Sequence, residues 1–144
     1  MRSSLVTPMI TYTDSLTAIT PDHLRGGFFV GWSRPLTPER HLRMMQGSAE
    51  VILALDDVTG NVVGYITLLT DGYLSAFIPN LEVLAAYQGQ GIGSELMRRM
   101  LEKLSHIPNI DLMCDPDVQP FYARFGMVPL SGMAIRKRDH QFSD

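Results

Sequence analysis

The sequence predicts an α/β fold of the α+β kind, with a mixed, mainly antiparallel sheet flanked by helices. Two observations carry that expectation. Residues 51–55, 62–69 and 73–84 are three runs rich in β-branched and aromatic side chains, joined by short turn-forming segments. An amphipathic helix then starts at Ile92, straight after the glycine-rich stretch Gln88-Gly89-Gln90-Gly91-Ile92-Gly93. Three antiparallel strands ahead of a helix are not the start of a doubly wound sheet, in which strand and helix alternate. The 144 residues suffice for one domain, 1–144, with a core of its own.

Taken in order, residues 9–16 alternate weakly and predict an edge strand. Thr20 with Pro21 caps a short helix over residues 21–25, which Gly26-Gly27 ends. The aromatic run Phe28-Phe29-Val30-Gly31-Trp32 follows. Thr37 with Pro38 forms a second cap, opening a helix to about Gln46 whose few apolar members (Leu42, Met45 and Met44) place it on the surface. Residues 57–61 read as a hairpin connection and Asp71-Gly72 as a tight turn before the third strand.

The helix over residues 92–105 gathers Leu96, Met97, Met100, Leu101 and Leu104 on one face. Glu95, Arg98, Arg99, Glu102 and Lys103 take the other, with Glu95 and Arg99, and Arg98 and Glu102, one turn apart as opposite charges. Residues 107–114 predict a further strand. Residues 118–125 predict a short helix with Asp117 as N-cap, Pro120 in its first turn and Gly126 as the residue that stops it. Residues 127–136 predict a final strand.

Twelve basic against fifteen acidic side chains leave a net charge of −3, with no electrostatic footprint for nucleic acid. The short clusters Arg98-Arg99 and Arg136-Lys137-Arg138 read as solvated surface or as counter-charge for phosphate. A single cysteine, Cys114, excludes an internal disulfide and a multi-cysteine zinc site, and reads as a small buried hydrophobe. His23, His41, His106 and His140 lack metal-ligand spacing, so no metal site is expected. No run approaches the ~20 apolar residues of a membrane span. The opening residues 1–14 lack the apolar core and cleavage site of a signal peptide. A cytoplasmic protein without membrane or nucleic-acid partners is expected.

Chemistry concentrates in residues 83–104. Glycine lets backbone approach a ligand with no Cβ in the way. A helix N-terminus adds unpaired N–H groups and the positive end of a dipole. Strand, glycine loop and helix start together make an anion site, most readily for a phosphate. A Walker A loop is excluded, because no Gly-Lys pair occurs in the chain. A dinucleotide loop is disfavoured: Asp111 lies twenty residues beyond Gly91, but Ser94 stands where the third glycine belongs, and the preceding strands look antiparallel.

The stretch Gln88-Gly89-Gln90-Gly91-Ile92-Gly93 instead matches the Q/R-x-x-G-x-G/A signature of the GNAT superfamily of N-acetyltransferases. Leu81-Glu82-Val83 resembles the end of that family's fourth strand, and DPDVQPFYARFGM over residues 115–127 resembles its second motif, in which F-Y-x-x-x-G follows a short helix. The resemblance covers residues 51–136 well and the first 50 poorly. Loop, helix, strand and FYxxxG in this order make it specific.

The resemblance implies a GNAT-type acyl-CoA N-acyltransferase fold, with acetyl-CoA as cosubstrate in a gap where the fourth and fifth strands part. By similarity, the N–H groups of Gln88, Gly89, Gln90, Gly91, Ile92, Gly93 and Ser94 hold the pyrophosphate. The segment Leu81, Glu82 and Val83 binds the pantetheine arm, through the backbone of Leu81 and Val83. The Leu81 N–H donates to the thioester carbonyl, where attack builds negative charge. Tyr122 matches the motif tyrosine near the coenzyme sulfur and is the candidate general acid, a role preferred here to that of a core aromatic with a satisfied hydroxyl.

The base is not legible. Some relatives carry a glutamate four residues before the position of Leu81, and here that residue is Phe77. Glu82 reads rather as a surface or partner-facing charge, Asn80 can only orient a water, and Asp71 and Tyr73 lie farther along the strand.

Phe28, Phe29 and Trp32 read equally as core packing or as one wall of the acceptor pocket, which the variable first helices shape in this family. Arg34 and Glu39 could then select acceptor charge. The implied reaction moves acetyl from acetyl-CoA to a primary amine by direct attack. A small metabolite, an aminoglycoside-like antibiotic and a protein N-terminus all fit, and the net negative charge mildly favours a cationic acceptor. The alternative is a catalytically silent CoA-binding sensor or interaction module. A homodimer, to which the segment after Met133 could contribute, is compatible with both.

Overall fold

The run over residues 73–84 forms two strands rather than one, and that break organises the sheet. The computed structural model describes residues 9–142, so the first eight of the residues read for a signal peptide lie outside it. β1 (Ile10–Thr13), β2 (Glu50–Asp56), β3 (Val62–Thr70), β4 (Ser75–Ile78), β5 (Leu81–Val83) and β6 (Asn109–Leu112) form one sheet in the order β1-β2-β3-β4-β6, with β5 also paired to β3. Every pairing is antiparallel except β4 with β6.

The break has a countable cause. Leu69 pairs with Phe77, and the Thr67 N–H donates to the Asn80 carbonyl at 3.1 Å. Three steps from Phe77 to Asn80 therefore oppose two steps from Leu69 to Thr67, which leaves one extra residue on the β4–β5 side, a β-bulge. Pro79 sits in it, where its missing N–H interrupts no ladder. Thr67 Oγ1 donates to Asn80 Oδ1 at 3.2 Å and pins the bend.

Helix α2 (Ile92–Lys103) covers one face of the sheet, burying Ile92, Leu96, Met97 and Met100, with Leu104 just past its end also buried and Leu101 only half-buried. Gly64 allows its close approach: a Cβ there would lie 3.2 Å from Ile92 Cγ2 and 3.3 Å from Leu96 Cδ1. The expected charge pairs form, Arg99 Nε to Glu95 at 2.6 Å and Arg98 to Glu102 at 3.2 Å.

The other face carries α1 (Pro38–Gln46) and the 3-10 turn Pro21–Leu24 around a cluster of Leu24, Phe28, Phe29, Met45, Leu53 and Tyr65. Thr37 Oγ1 accepts from the Arg40 N–H at 3.2 Å, the cap the sequence predicts. α1 lies on the surface as expected, burying one face through Met45 and His41, the second of which the sequence reading did not single out. Polar by identity, histidine does not register in an apolar-periodicity count.

The chain divides into two compact units between Leu112 and Met113. The second holds a 3-10 turn, Pro116–Val118, and α3 (Gln119–Ala123). Val118, not Asp117, is the N-cap of α3, because the preceding 3-10 turn displaces the start by one residue. Gly126 ends this segment with φ +87°, as expected. Residues 127–136 are not a strand, correcting the sequence reading. Pro129 removes a ladder donor, and Gly132 interrupts the alternation.

Candidate active site

β5 offers a free edge. In an antiparallel pair, residues that exchange both backbone bonds alternate with residues whose backbone faces away. Leu84 N–H donates to the Val63 carbonyl at 2.8 Å and Thr67 N–H to that of Asn80, so Asn80, Glu82 and Leu84 face β3. The N–H and C=O groups of Leu81 and Val83 therefore point away from β3. On that side β6 pairs with β4 and goes no further than Ile78 and Leu112. The two strands part there, because the bulge at Pro79 turns β5 out of the line of β4.

The loop after β5 is held from both ends. Gln88 Nε2 donates to the Val83 carbonyl at 2.9 Å, and the Gln88 N–H donates to the Ala85 carbonyl at 3.3 Å. Tyr87 Oη donates to Asp56 Oδ2 at 2.6 Å, tying the loop to the β2–β3 connection and holding the Asp56 carboxyl below its ordinary range. Gly89 and Gly91 adopt φ of +79° and +82°, where L side chains are strained, and open space surrounds the position a Cβ would take on either. Gly91 is the N-cap of α2, and the helix ladder begins with the Glu95 N–H donating to the Gly91 carbonyl at 3.0 Å. Ile92 and Gly93 accordingly present first-turn N–H groups with no acceptor in their own helix. Buried Ile92, packed against Gly64, anchors this first turn to the sheet.

An extended thioester arm ending in a pyrophosphate fits these features. The outward backbone of Leu81 and the Val83 N–H can receive a strand-like partner, the Val83 carbonyl already accepting from Gln88 Nε2, while Gly89, Gly91 and the start of α2 form a cradle that side chains would obstruct. Within the predicted set, the Gln88 backbone N–H is engaged by the Ala85 carbonyl and one side-chain N–H by the Val83 carbonyl, and Glu82 turns its backbone to Tyr65.

Glu82 is not the surface charge the sequence suggested. Its carboxylate is half-buried and accepts from the Phe29 N–H at 2.8 and 3.0 Å and from the Val30 N–H at 3.3 Å. Phe29 stands at φ +69°, the one non-glycine residue with positive φ among the described residues, flanked by Gly27 and Gly31 at +100° and +84°. Two N–H groups brought to one carboxylate hold this strained strap in place. Only the tertiary structure supplies the strap that Glu82 holds.

Beneath the strap, the His41 ring lies 4.5 Å from that of Tyr65, 4.7 Å from Phe29 and 5.2 Å from Phe28, all edge to face. His41 Nε2 is buried without a hydrogen-bond partner, and burial lowers the imidazole to a pKa of about 4. Burial, reinforced by Glu82, raises the Tyr65 phenol far above its ordinary value. Phe28 and Phe29 are core residues, whereas Trp32 is about half exposed and stacks edgewise on Phe29 at 4.8 Å. Sequence reading missed His41 and the Tyr87–Asp56 link, since neither has a local signature.

Phe77 stands on β4, half-buried and opposite Leu69, so no carboxylate occupies that register position. Tyr122 belongs to α3 in the second unit, its ring edge-on to Phe121 at 5.0 Å. Burial, then the neighbouring Cys114, raises its phenol above the ordinary value. Cys114 itself is half-buried. No helix among the described residues is long and apolar enough to cross a membrane.

A family model described as the acetyltransferase (GNAT) family matches residues 18–127. A solved structure from Deinococcus radiodurans R1, provisionally designated an acetyltransferase, is 42% identical with a TM-score of 0.86, over 96% of this chain and 94% of that one. A GNAT family acetyltransferase from Streptococcus pneumoniae TIGR4 is 29% identical with a TM-score of 0.71, over 91% of this chain and 100% of that one. An uncharacterized N-acetyltransferase of Pyropia yezoensis, ycf52, is 27% identical over 105 residues, or 69% of this chain. The chain spans 59% of the length of that relative.

Proposed function

From the premise that the chain belongs to the acetyltransferase (GNAT) family, we propose that it transfers an acetyl group from acetyl-CoA to a primary amine by direct attack. One observation carries the proposal: the free edge of β5, with Leu81 and Val83 facing outward, runs into a glycine loop that opens a helix.

Acetyl-CoA supplies the acetyl group as a reactive thioester. The first-turn N–H groups of α2 and the backbone of Gly89, Gln90 and Gly91 bind its pyrophosphate, with the helix dipole behind them. Leu81 and Val83 orient the pantetheine arm through backbone hydrogen bonds. The Leu81 N–H donates to the carbonyl oxygen on which negative charge develops, and a donor already held by the sheet needs no reorganisation to do so. Tyr122 Oη gives its proton to the departing thiolate; a phenol raised by burial stays protonated at neutral pH and so has that proton to give. No side chain is assigned as base. Glu82 is occupied by the strap, and an ordered water can accept the ammonium proton instead. A cytoplasmic setting, and a homodimer using the segment after Met133, belong to the same reading.

Calorimetric titration with acetyl-CoA, run beside NAD and ATP, tests the ligand. One-to-one saturation by acetyl-CoA alone is expected, and preference for a nucleotide overturns the assignment. Phe77 at the glutamate position favours a second reading, a silent CoA-binding module. A panel of amines separates the two: absence of acceptor-dependent thiol release from every amine selects the silent module.

A further inference from the structure

The loop that carries Gly89 and Gly91 has little packing to hold its first half. The chain leaves the sheet after Leu84, whose N–H donates to the Val63 carbonyl at 2.8 Å, and is gripped again at Ile92, buried against Gly64. The 3-10 turn between them, Ala85–Tyr87, buries none of its residues. It borders an open cleft of about 450 Å³, lined by Val30, Asn61, Val62, Leu84, Ala85 and Tyr87 among others. Ala85 and Ala86 bring little apolar surface to such a place, so hydrogen bonds must fix the position of the segment.

Two side-chain bonds do so, and they differ in reach. Gln88 Nε2 donates to the Val83 carbonyl at 2.9 Å, five residues back, and closes the turn onto the strand that leads into it. Tyr87 Oη donates to Asp56 Oδ2 at 2.6 Å, 31 residues away at the end of β2. That distance is the one expected of a hydroxyl bonded to an ionised carboxylate, roughly twice as strong as a bond between neutral groups.

Asp56 makes a fixed post. It is buried, and its other oxygen accepts from the Val58 N–H at 2.8 Å. Its backbone closes the β2–β3 turn, the N–H donating to the Asn61 carbonyl at 3.0 Å and the carbonyl accepting from the Gly60 N–H at 2.7 Å. The bond holds the Asp56 carboxyl below its ordinary range and the Tyr87 phenol above its own, so acceptor and donor stay matched at neutral pH. The sheet does not need this link, because β2 and β5 are each already paired to β3. What the link adds is a constraint on residues 88–91, which follow Tyr87 directly.

We propose that Asp56 and Tyr87 are positioning residues for the cosubstrate: through their bond, the β2–β3 turn sets where the Gly89 and Gly91 backbone meets the pyrophosphate. The proposal rests on the acetyl-CoA reading and extends it to a hairpin outside the glycine loop. Both residues act through the loop, not by contact with the ligand.

Calorimetric titration of the full-length protein with CoA tests the proposal and needs no amine acceptor. Tyr87→Phe keeps the ring and removes the donor. Its Kd for CoA should rise about tenfold, equivalent to about 1.4 kcal/mol of lost binding. Asp56→Ala should lose a similar factor, and the double variant no more than the larger single one, since each removes the same link. If Asp56→Ala does not fold, Tyr87→Phe decides alone. Urea unfolding of the ligand-free proteins separates this role from a merely structural one, which lowers the midpoint and leaves the Kd of the folded protein where it was.

A Kd within about threefold of wild type in folded Tyr87→Phe overturns the inference and leaves the coenzyme reading standing. Additive losses in the double variant overturn it as well, because the two residues would then act separately. No saturation of the wild-type protein by CoA overturns the coenzyme reading, and the positioning role with it.

Discussion

The Glu82 carboxylate and the Phe29 N–H are joined at 2.8 and 3.0 Å across 53 residues of chain, and Phe29 holds φ +69° under that grip. A backbone conformation that most side chains avoid is thus maintained by a strand residue beside the proposed oxyanion donor. The strap depends on one side chain as acceptor for both its Phe29 and Val30 N–H groups.

Glu82→Ala should expose that dependence. Leaving the Phe29 and Val30 N–H groups without an acceptor costs about 1–3 kcal/mol, which urea unfolding would register as a lower midpoint. Unchanged stability would mean water replaces the carboxylate without loss.

Gly91 separates charge from strain. Gly91→Ala forces a Cβ onto φ +82° in open space, so the fold should lose about 1 kcal/mol and coenzyme affinity should fall modestly. Gly91→Glu adds a carboxylate beside the pyrophosphate cradle and should abolish binding in calorimetry. Equal affinity of a folded Gly91→Glu protein and wild type would sink the loop assignment.

Tyr122→Phe removes the proposed proton donor and keeps the ring. General-acid steps contribute roughly 10²-fold or more, so kcat should fall by about that factor with acetyl-CoA affinity unchanged. A kcat equal to wild type would return Tyr122 to a packing role.

His41 gives the fold a pH dependence of defined sign. Its folded pKa of about 4 lies below the unfolded value of 6.5, so the unfolded state binds the proton first as pH falls. This contribution is full above pH 6.5, declines as pH drops toward 4, and levels off below. Burial alone causes the shift, so His41→Leu should flatten the fall in urea midpoint between pH 7 and 5. The carboxylates act lower: Glu95, held down to about 2 by Arg98 and Arg99, loses its contribution only as pH falls from 4.5 toward that value. An unaltered slope in His41→Leu would place the imidazole in contact with solvent.

What the sequence determined by itself is what nearest neighbours along the chain determine. Thr37 before Pro38 starts α1, the 3.6-residue spacing from Leu96 to Leu104 builds α2, and Gly91 ahead of Ile92 places a helix N-terminus on a glycine loop. These signals act within a turn or two, so they survive reading in one dimension. The family motifs, being local, were legible for the same reason.

The tertiary structure decided everything that depends on a partner far away in sequence. Pro79 marks an interruption, but whether it breaks a strand or bulges it depends on Thr67 and Leu69 across the sheet. The same pairing turned the Leu81 and Val83 backbone outward. Glu82 found its role through a strap 53 residues earlier, and His41 became buried because three aromatic rings from two distant segments, the strap and β3, closed over it. Hydrogen-bond direction and burial are properties of pairs of segments, and no single segment carries them.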